Sequence, residues 1–203
     1  MNYYHNLITE KSWKLLLSLR GKHQFILIGG WAVFLYTKAL KSKDIDLVLD
    51  FRELEKIRDE FVVTKNSRLK KYEAKFEGID IDIYLPYYSN LGIPAEDLKK
   101  FVQNLEGFSL PQIEVLAILK QKALLSRANT VKGRKDLIDL VSLFMKDEFD
   151  FEKYKMRIFQ FQLVDFLEAT KDIISKTSKI EELDLNIHKM SRFKKKILPN
   201  FKT

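Results

Sequence analysis

The sequence predicts an α+β protein: a mixed β-sheet flanked by helices, followed by a C-terminal helical bundle. Three observations predict it. Short apolar and alternating strand patterns occupy residues 24–85, helical periodicity takes over after residue 109, and only 7 Gly and 4 Pro leave little material for a turn-rich all-β design. The same reading divides the chain into an αβ domain, 1–108, and a helical domain, 109–203, packed against it with no Gly/Ser linker between them.

Phe25, Ile26, Leu27 and Ile28 run directly into Gly29 and Gly30, the pattern of a buried strand over 24–28 ending in a glycine turn. Residues 31–39 are helix-compatible, so the glycines fall at a strand-to-helix turn where bare backbone can approach a ligand. Residues 44–50 alternate as a second strand, with Asp44, Asp46 and Val48 on one face and Ile45, Leu47 and Leu49 on the other. A charged amphipathic helix follows over 51–61, its Leu54, Ile57 and Phe61 inward. Residues 70–85 read as two strands joined at Glu77 and Gly78. In the second of these Asp80 and Asp82 share the face opposite Ile79, Ile81 and Ile83.

After Pro86 a helix is predicted over 95–103. Ser109-Leu110-Pro111-Gln112 has capping-box spacing with Pro in the first turn, which predicts a long helix from there to about residue 126. Leu137, Leu140, Val141 and Phe144 mark the next helix by their i, i+3, i+4, i+7 spacing. Leu163, Phe166 and Leu167, then Ile180, Leu183, Ile187 and Met190, read as further helical stripes. The basic stretch 189–202 is either a phosphate-touching tail or a solvated one.

An apolar content of 46% with 15 Phe and 8 Tyr excludes disorder. The absence of Cys excludes disulfides, zinc clusters and thiol nucleophiles and favours a cytoplasmic location. Glu10, Lys11 and Lys14 interrupt the apolar positions of residues 1–20 before a signal-peptide core forms, and no segment reaches the ~20 apolar residues of a membrane span. A soluble chain with no membrane partner is expected. The net charge of +8 suits a polyanionic partner such as nucleic acid or a triphosphate, or equally a solvated, charged surface. His5, His23 and His188 show no ligand spacing and are given no metal or catalytic role.

The chemistry is expected at the carboxylates. Two aspartates at i, i+2 on a strand can jointly hold hard cations, two Mg²⁺ ions with Mn²⁺ as the alternative, and a third acid from a neighbouring strand completes such a site. Gly29 and Gly30, at a helix N-terminus, offer backbone N–H groups to a phosphate tail. That set suits nucleotidyl transfer, in which a triphosphate is bent over the ions and an acceptor hydroxyl lies in line with the α-phosphorus. Trp31 reads as core. Tyr84, Tyr87 and Tyr88 lie just past the third acid, where packing and bordering an acceptor pocket are both open.

Ile28-Gly29-Gly30-Trp31-Ala32, then Ser42-Lys43-Asp44-Ile45-Asp46-Leu47, then Ile81-Asp82-Ile83 together resemble the polymerase-β-type nucleotidyltransferase superfamily. In the helical part Lys120, Ala123, Arg127, Lys135-Asp136 and Asp139-Leu140 are similar to the AbiEii-type (abortive infection, type IV toxin) nucleotidyltransferases, so the resemblance spans residues 20–145. It implies a nucleotidyltransferase fold, Asp44 and Asp46 as metal ligands, and Asp82 as third ligand or general base. It places Gly29, Gly30 and Ser42 at the phosphates and Lys120 as a triphosphate-binding cation. Arg127, on one helix face with Lys120, and Asp136 join the nucleotide-binding candidates, with pairing within the helix as Asp136's structural alternative. Asp80 is the alternative third acid; Asp82 is preferred because apolar residues follow it.

The activity implied is transfer of a nucleoside monophosphate from a nucleoside triphosphate to an acceptor hydroxyl. The toxin relatives imply the 3′ end of transfer RNA as acceptor and a cognate antitoxin or regulator as partner. Relatives that modify protein tyrosines or small molecules such as aminoglycosides leave two other acceptors open. A catalytically silent scaffold is the reading from a different class. Intact Asp44 and Asp46 argue against it, because a decaying site has no need to keep two like charges side by side.

Overall fold

The computed structural model describes residues 2–201. The chain divides into two compact units, Met1–Gln112 and Ile113–Thr203. In the first, α1 (Asn2–Lys22), β1 (Ile26–Ile28), α2 (Gly29–Thr37), β2 (Ile45–Val48), α3 (Phe51–Glu60), β3 (Val63–Asn66), β4 (Lys71–Phe76) and β5 (Ile79–Tyr84) precede the short α4 (Ala95–Leu98) and the hairpin β6 (Val102–Leu105) and β7 (Phe108–Pro111). The second holds α5 (Ile113–Arg127), α6 (Val131–Phe144), α7 (Phe151–Gln160), α8 (Asp165–Lys176) and α9 (Ile187–Ile197). This is the α+β architecture expected, a mixed sheet with flanking helices and then helices alone. No helix among the described residues is long and apolar enough to cross a membrane.

The main sheet has five strands in the order β1-β2-β5-β4-β3. The β2–β5 pair is parallel and the other three are antiparallel. Because side chains alternate across a strand, register sorts the sheet into rows. Leu27, Leu47 and Ile83 stand opposite one another in one row, and all three are fully buried. Removing each such side chain from water contributes roughly 1.5–3 kcal/mol. The next row, on the other face, is Ile28, Asp46, Asp82 and Glu73. A single parity therefore builds the core on one side and an acidic line on the other.

Trp31 belongs to the core at 1% exposure: its Nε1 donates to Ser12 Oγ of α1 at 2.9 Å and its ring meets Trp13 and Phe34. His23, at the end of α1, is buried between two carboxylates of α3, 3.4 Å from Glu53 and 3.2 Å from Glu60. Hydrogen bonds from Lys56 and Lys22 respectively hold these two carboxyls below their ordinary values against the opposing effect of burial. Its role in the fold is thus a clamp between α1 and α3.

Several elements differ from expectation for identifiable reasons. The helix predicted over 95–103 stops after a short turn, and β6 begins at Val102, because Glu106-Gly107 closes a hairpin in which both residues take positive φ. Ser109-Leu110-Pro111 is then strand rather than cap: β7 pairs with β6, α5 begins at Ile113, and β7 falls within the first unit. Tyr36 ties this hairpin to α2, accepting from Gln103 at 2.8 Å and donating to the Pro111 carbonyl at 2.6 Å. The stripe Ile180 to Met190 is not one helix, since Asp184 is left-handed and Asn186 caps α9.

In the second unit the four positions Leu137, Leu140, Val141 and Phe144 are buried as their spacing requires. Phe144, Phe149, Phe151, Tyr154 and Phe201 form an aromatic cluster. Tyr154 donates to Gln121 at 2.6 Å, and burial pushes its hydroxyl well above its ordinary value.

Candidate active site

The acidic row starts at a turn that only glycine fits. Gly29 has φ +68, and a Cβ built on it would lie 2.0 Å from Asp46 Oδ2. The Asp46 side chain thus lies directly against the first residue of α2, so the strand-borne acid and the helix N-terminus share one place. Asp46 stands opposite Asp82 across the parallel β2–β5 pair. Asp44, two residues before Asp46, is close enough to act electrostatically on Asp82.

Register separates the two candidate third acids. Asp82 pairs with Asp46 on one side and Glu73 on the other, whereas Asp80 stands opposite Lys75 and bonds to it at 3.2 Å with both side chains well exposed. Gly30 follows Gly29 within the first turn of α2 and is buried, as is Ser42 on the approach to β2.

Two members of the site were not anticipated. Lys71 Nζ lies 2.6 Å from Asp82 Oδ2 and 3.0 Å from Glu73 Oε1, its side chain only 11% exposed. Glu73 also accepts from Asn66 of β3 at 3.0 Å. A chain of polar contacts therefore runs from Asn66 through Glu73 and Lys71 to Asp82, which stands opposite Asp46. The signal that would have found Lys71 and Glu73 is their parity: they alternate on β4 as Asp80 and Asp82 do on β5.

Burial raises the Asp82 carboxyl, Lys71 pulls against that, and the charges of Glu73 and Asp44 add to the rise, so Asp82 sits above its ordinary value. Burial works against the Lys71 charge, but its bonds to Asp82 and Glu73 win and raise it. Glu73, held chiefly by Lys71, is lowered. One ammonium is thus shared by Asp82 and Glu73. As the side chains stand, with Lys71 on Asp82, no group of three or more acidic or histidine side chains among the described residues is placed to hold a metal ion.

Lys120, Arg127 and Asp136 belong to the second unit. There Lys120 Nζ lies 2.7 Å from Asp139 Oδ2 and 3.4 Å from Asp136 Oδ1, and Arg127 Nε donates to Asp136 Oδ2 at 2.7 Å. Both carboxylates are almost fully buried, and the network locks α5 to α6. This is the structural alternative to a triphosphate contact. Lys120→Met is expected to leave buried charge uncompensated and to destabilise the fold by about 3–5 kcal/mol, read in a thermal melt without nucleotide. An unchanged melt would remove the structural account.

A cavity of about 750 Å³ opens elsewhere in the first unit, at the Ile26 and Val48 end of the sheet, lined by Arg20, Phe51, Tyr87 and Lys99 among others. It does not include the acidic row. Tyr87, 83% exposed, belongs to it, while Tyr88 packs on Tyr72, which stands opposite Ile83 in the core row.

No protein-family model matches the chain, and no curated protein matches it. Among solved structures it is similar to JHP933 from Helicobacter pylori, with a TM-score of 0.51 and 16% identity over 94% of this chain and 92% of that one. It is also similar to an antigenic nucleotidyltransferase-like protein from Paracoccidioides brasiliensis, with a TM-score of 0.42 and 16% identity over 89% of this chain and 93% of that one. At 16% identity the Helicobacter likeness is one of fold, and any chemistry has to be argued from the acidic row itself.

Proposed function

We propose that this chain is a nucleotidyltransferase that moves a nucleoside monophosphate from a nucleoside triphosphate to an acceptor hydroxyl. The observation that carries the reading is the register of Asp46 opposite Asp82 on adjacent strands, with Asp46 lying against the Gly29 turn. Asp44, Asp46 and Asp82 present oxygen donors of the kind hard divalent cations prefer. The ammonium of Lys71, 2.6 Å from Asp82, supports that fit, because it shows a cation seated on this carboxylate. These three would hold two Mg²⁺ ions, or Mn²⁺, which when bound neutralise the triphosphate and lower the pKa of the acceptor hydroxyl.

The chain's own residues then have distinct tasks. Gly29 and Gly30 bring the α2 N-terminus to the phosphate tail, where N–H groups and the helix dipole favour an anion. Ser42, buried just before Asp44, is assigned to the same tail. Asp82, where it serves as general base rather than third metal ligand, would accept the hydroxyl proton as the new bond to the α-phosphorus forms, the bond to the bridging oxygen breaks, and pyrophosphate leaves. The acceptor favoured is RNA, the 3′ end of transfer RNA. The net charge of +8 suits a partner held mainly through its phosphates. An AbiEii-type toxin role, with an antitoxin or regulator as partner, is the finer form of the same proposal.

The test is to incubate the purified chain with Mg²⁺, each of four α-labelled nucleoside triphosphates and total transfer RNA, and to resolve RNA and protein on a denaturing gel. Labelled RNA is expected. Label on protein alone would transfer the activity to a protein acceptor, and no label with no triphosphate binding in calorimetry would sink the enzyme reading.

A further inference from the structure

We propose that Lys71 is a resident counter-cation for the third acid, one that competes with a divalent ion for Asp82. The inference rests on the metal-dependent reading of the site. Lys71 comes from β4, which pairs with β5 on the side away from β2, and reaches diagonally across to Asp82 at 2.6 Å while also holding Glu73 at 3.0 Å. Asn66 braces Glu73 from the far side at 3.0 Å, so the ammonium is seated by a built arrangement rather than by a loose surface contact. The contrast with Lys75 on the same strand is direct: its side chain is 80% exposed, and it meets Asp80 at the rim.

Three consequences follow from this placement. Without a divalent ion, Asp82 carries Lys71 as its counter-cation. A divalent ion that takes Asp82 must displace the ammonium, which couples completion of the site to arrival of the ion with its nucleotide. The displaced Lys71 stays tethered beside the acids as a cation available to the triphosphate. Free metal alone is then held weakly, and idle hydrolysis of the triphosphate is disfavoured.

Removing a unit charge a few ångströms from a divalent ion in a half-buried site is worth about tenfold or more in ion affinity, even after generous screening. Mn²⁺ binding is measured without nucleotide by calorimetry, with the signal of free Mn²⁺ in electron paramagnetic resonance as a second readout. Wild type, Lys71→Met, Lys71→Arg and Asp46→Asn are compared, each checked by thermal melt. Lys71→Met is expected to bind Mn²⁺ about tenfold or more tightly than wild type, and Lys71→Arg to stay near it.

A measurement on the unaltered protein guards against a variant that folds poorly. Acetylation of Lys71 by a water-soluble amine reagent, quantified by mass spectrometry against Lys75, is expected to rise several-fold at Mn²⁺ concentrations high enough to saturate the site. Mn²⁺ affinity in Lys71→Met at or below that of wild type, or Lys71 acetylation indifferent to bound Mn²⁺, overturns the competition. Mn²⁺ binding that Asp46→Asn leaves intact overturns the metal-site reading instead, so the two failures are distinguishable.

Discussion

Asp46→Asn is expected to lower nucleotidyl transfer by about 10³-fold or more while leaving the melting temperature unchanged or slightly raised. The amide keeps the shape that lies against Gly29 and removes the charge. Asp46 stands opposite Asp82 in a row that also contains Glu73, and Asp44 acts on the same acid from two residues upstream. Concentrated like charge on one sheet face stabilises nothing by itself; under the proposed function a bound cation would offset it. In a site of the kind proposed, function and stability pull apart. The check is paired: kcat for labelled transfer, and a thermal melt without nucleotide. Activity within tenfold of wild type would remove Asp46 from the metal site. A melting temperature several degrees lower would show that the carboxylate has a structural duty, and the row would need another explanation.

Much of this arrangement was legible in the sequence because it depends on parity within single strands. The alternation of Ile45-Asp46-Leu47 and of Asp80-Ile81-Asp82-Ile83 says which side chains share a face before any partner is known, and the Ile28-Gly29-Gly30 junction announces a turn, whereas Asp44, expected on the strand, lies in the bend before β2. What was not legible depends on pairing between strands. The choice between Asp80 and Asp82 is one of register, since only Asp82 falls opposite Asp46. Lys71 and Glu73 sit in a Lys-Tyr-Glu stretch that reads as an ordinary charged strand until β4 is laid against β5. The hairpin of β6 and β7 was obscured by a local conflict. Ser109, Pro111 and Gln112 carry helix-start chemistry, and the strand pairing across Glu106-Gly107 overrides it. β3 was missed for a simpler reason: as an edge strand of Val63, Thr64, Lys65 and Asn66, none of them buried, it has too little apolar pattern to see. In the second unit the Lys120 network was hidden because a buried ion pair between helices has the same sequence as two solvated surface charges.

Gly29→Ala carries the other large effect, and its cause can be split in two. An alanine at φ +68 accepts a left-handed backbone at a cost of roughly 1–2 kcal/mol. Its Cβ would also fall 2.0 Å from Asp46 Oδ2 and 2.5 Å from the carboxyl carbon, so either the acid or the turn has to move. A displacement near 1 Å at a catalytic ligand costs about 10²-fold in rate. The single variant is therefore expected to lose about 10²-fold in transfer and about 2–3 kcal/mol in stability, the overlap adding about 1 kcal/mol to the backbone cost. Asp46→Ala separates the two contributions, because it removes the atoms that the new methyl would strike. In that background Gly29→Ala should cost only the backbone share, and the difference between the two costs is the coupling between Gly29 and Asp46. Equal costs in both backgrounds would mean that the glycine serves only its own torsion angle. A large coupling would mean that the turn is glycine because the acid lies against it, which is the arrangement a phosphate-binding helix start beside a metal-binding strand requires.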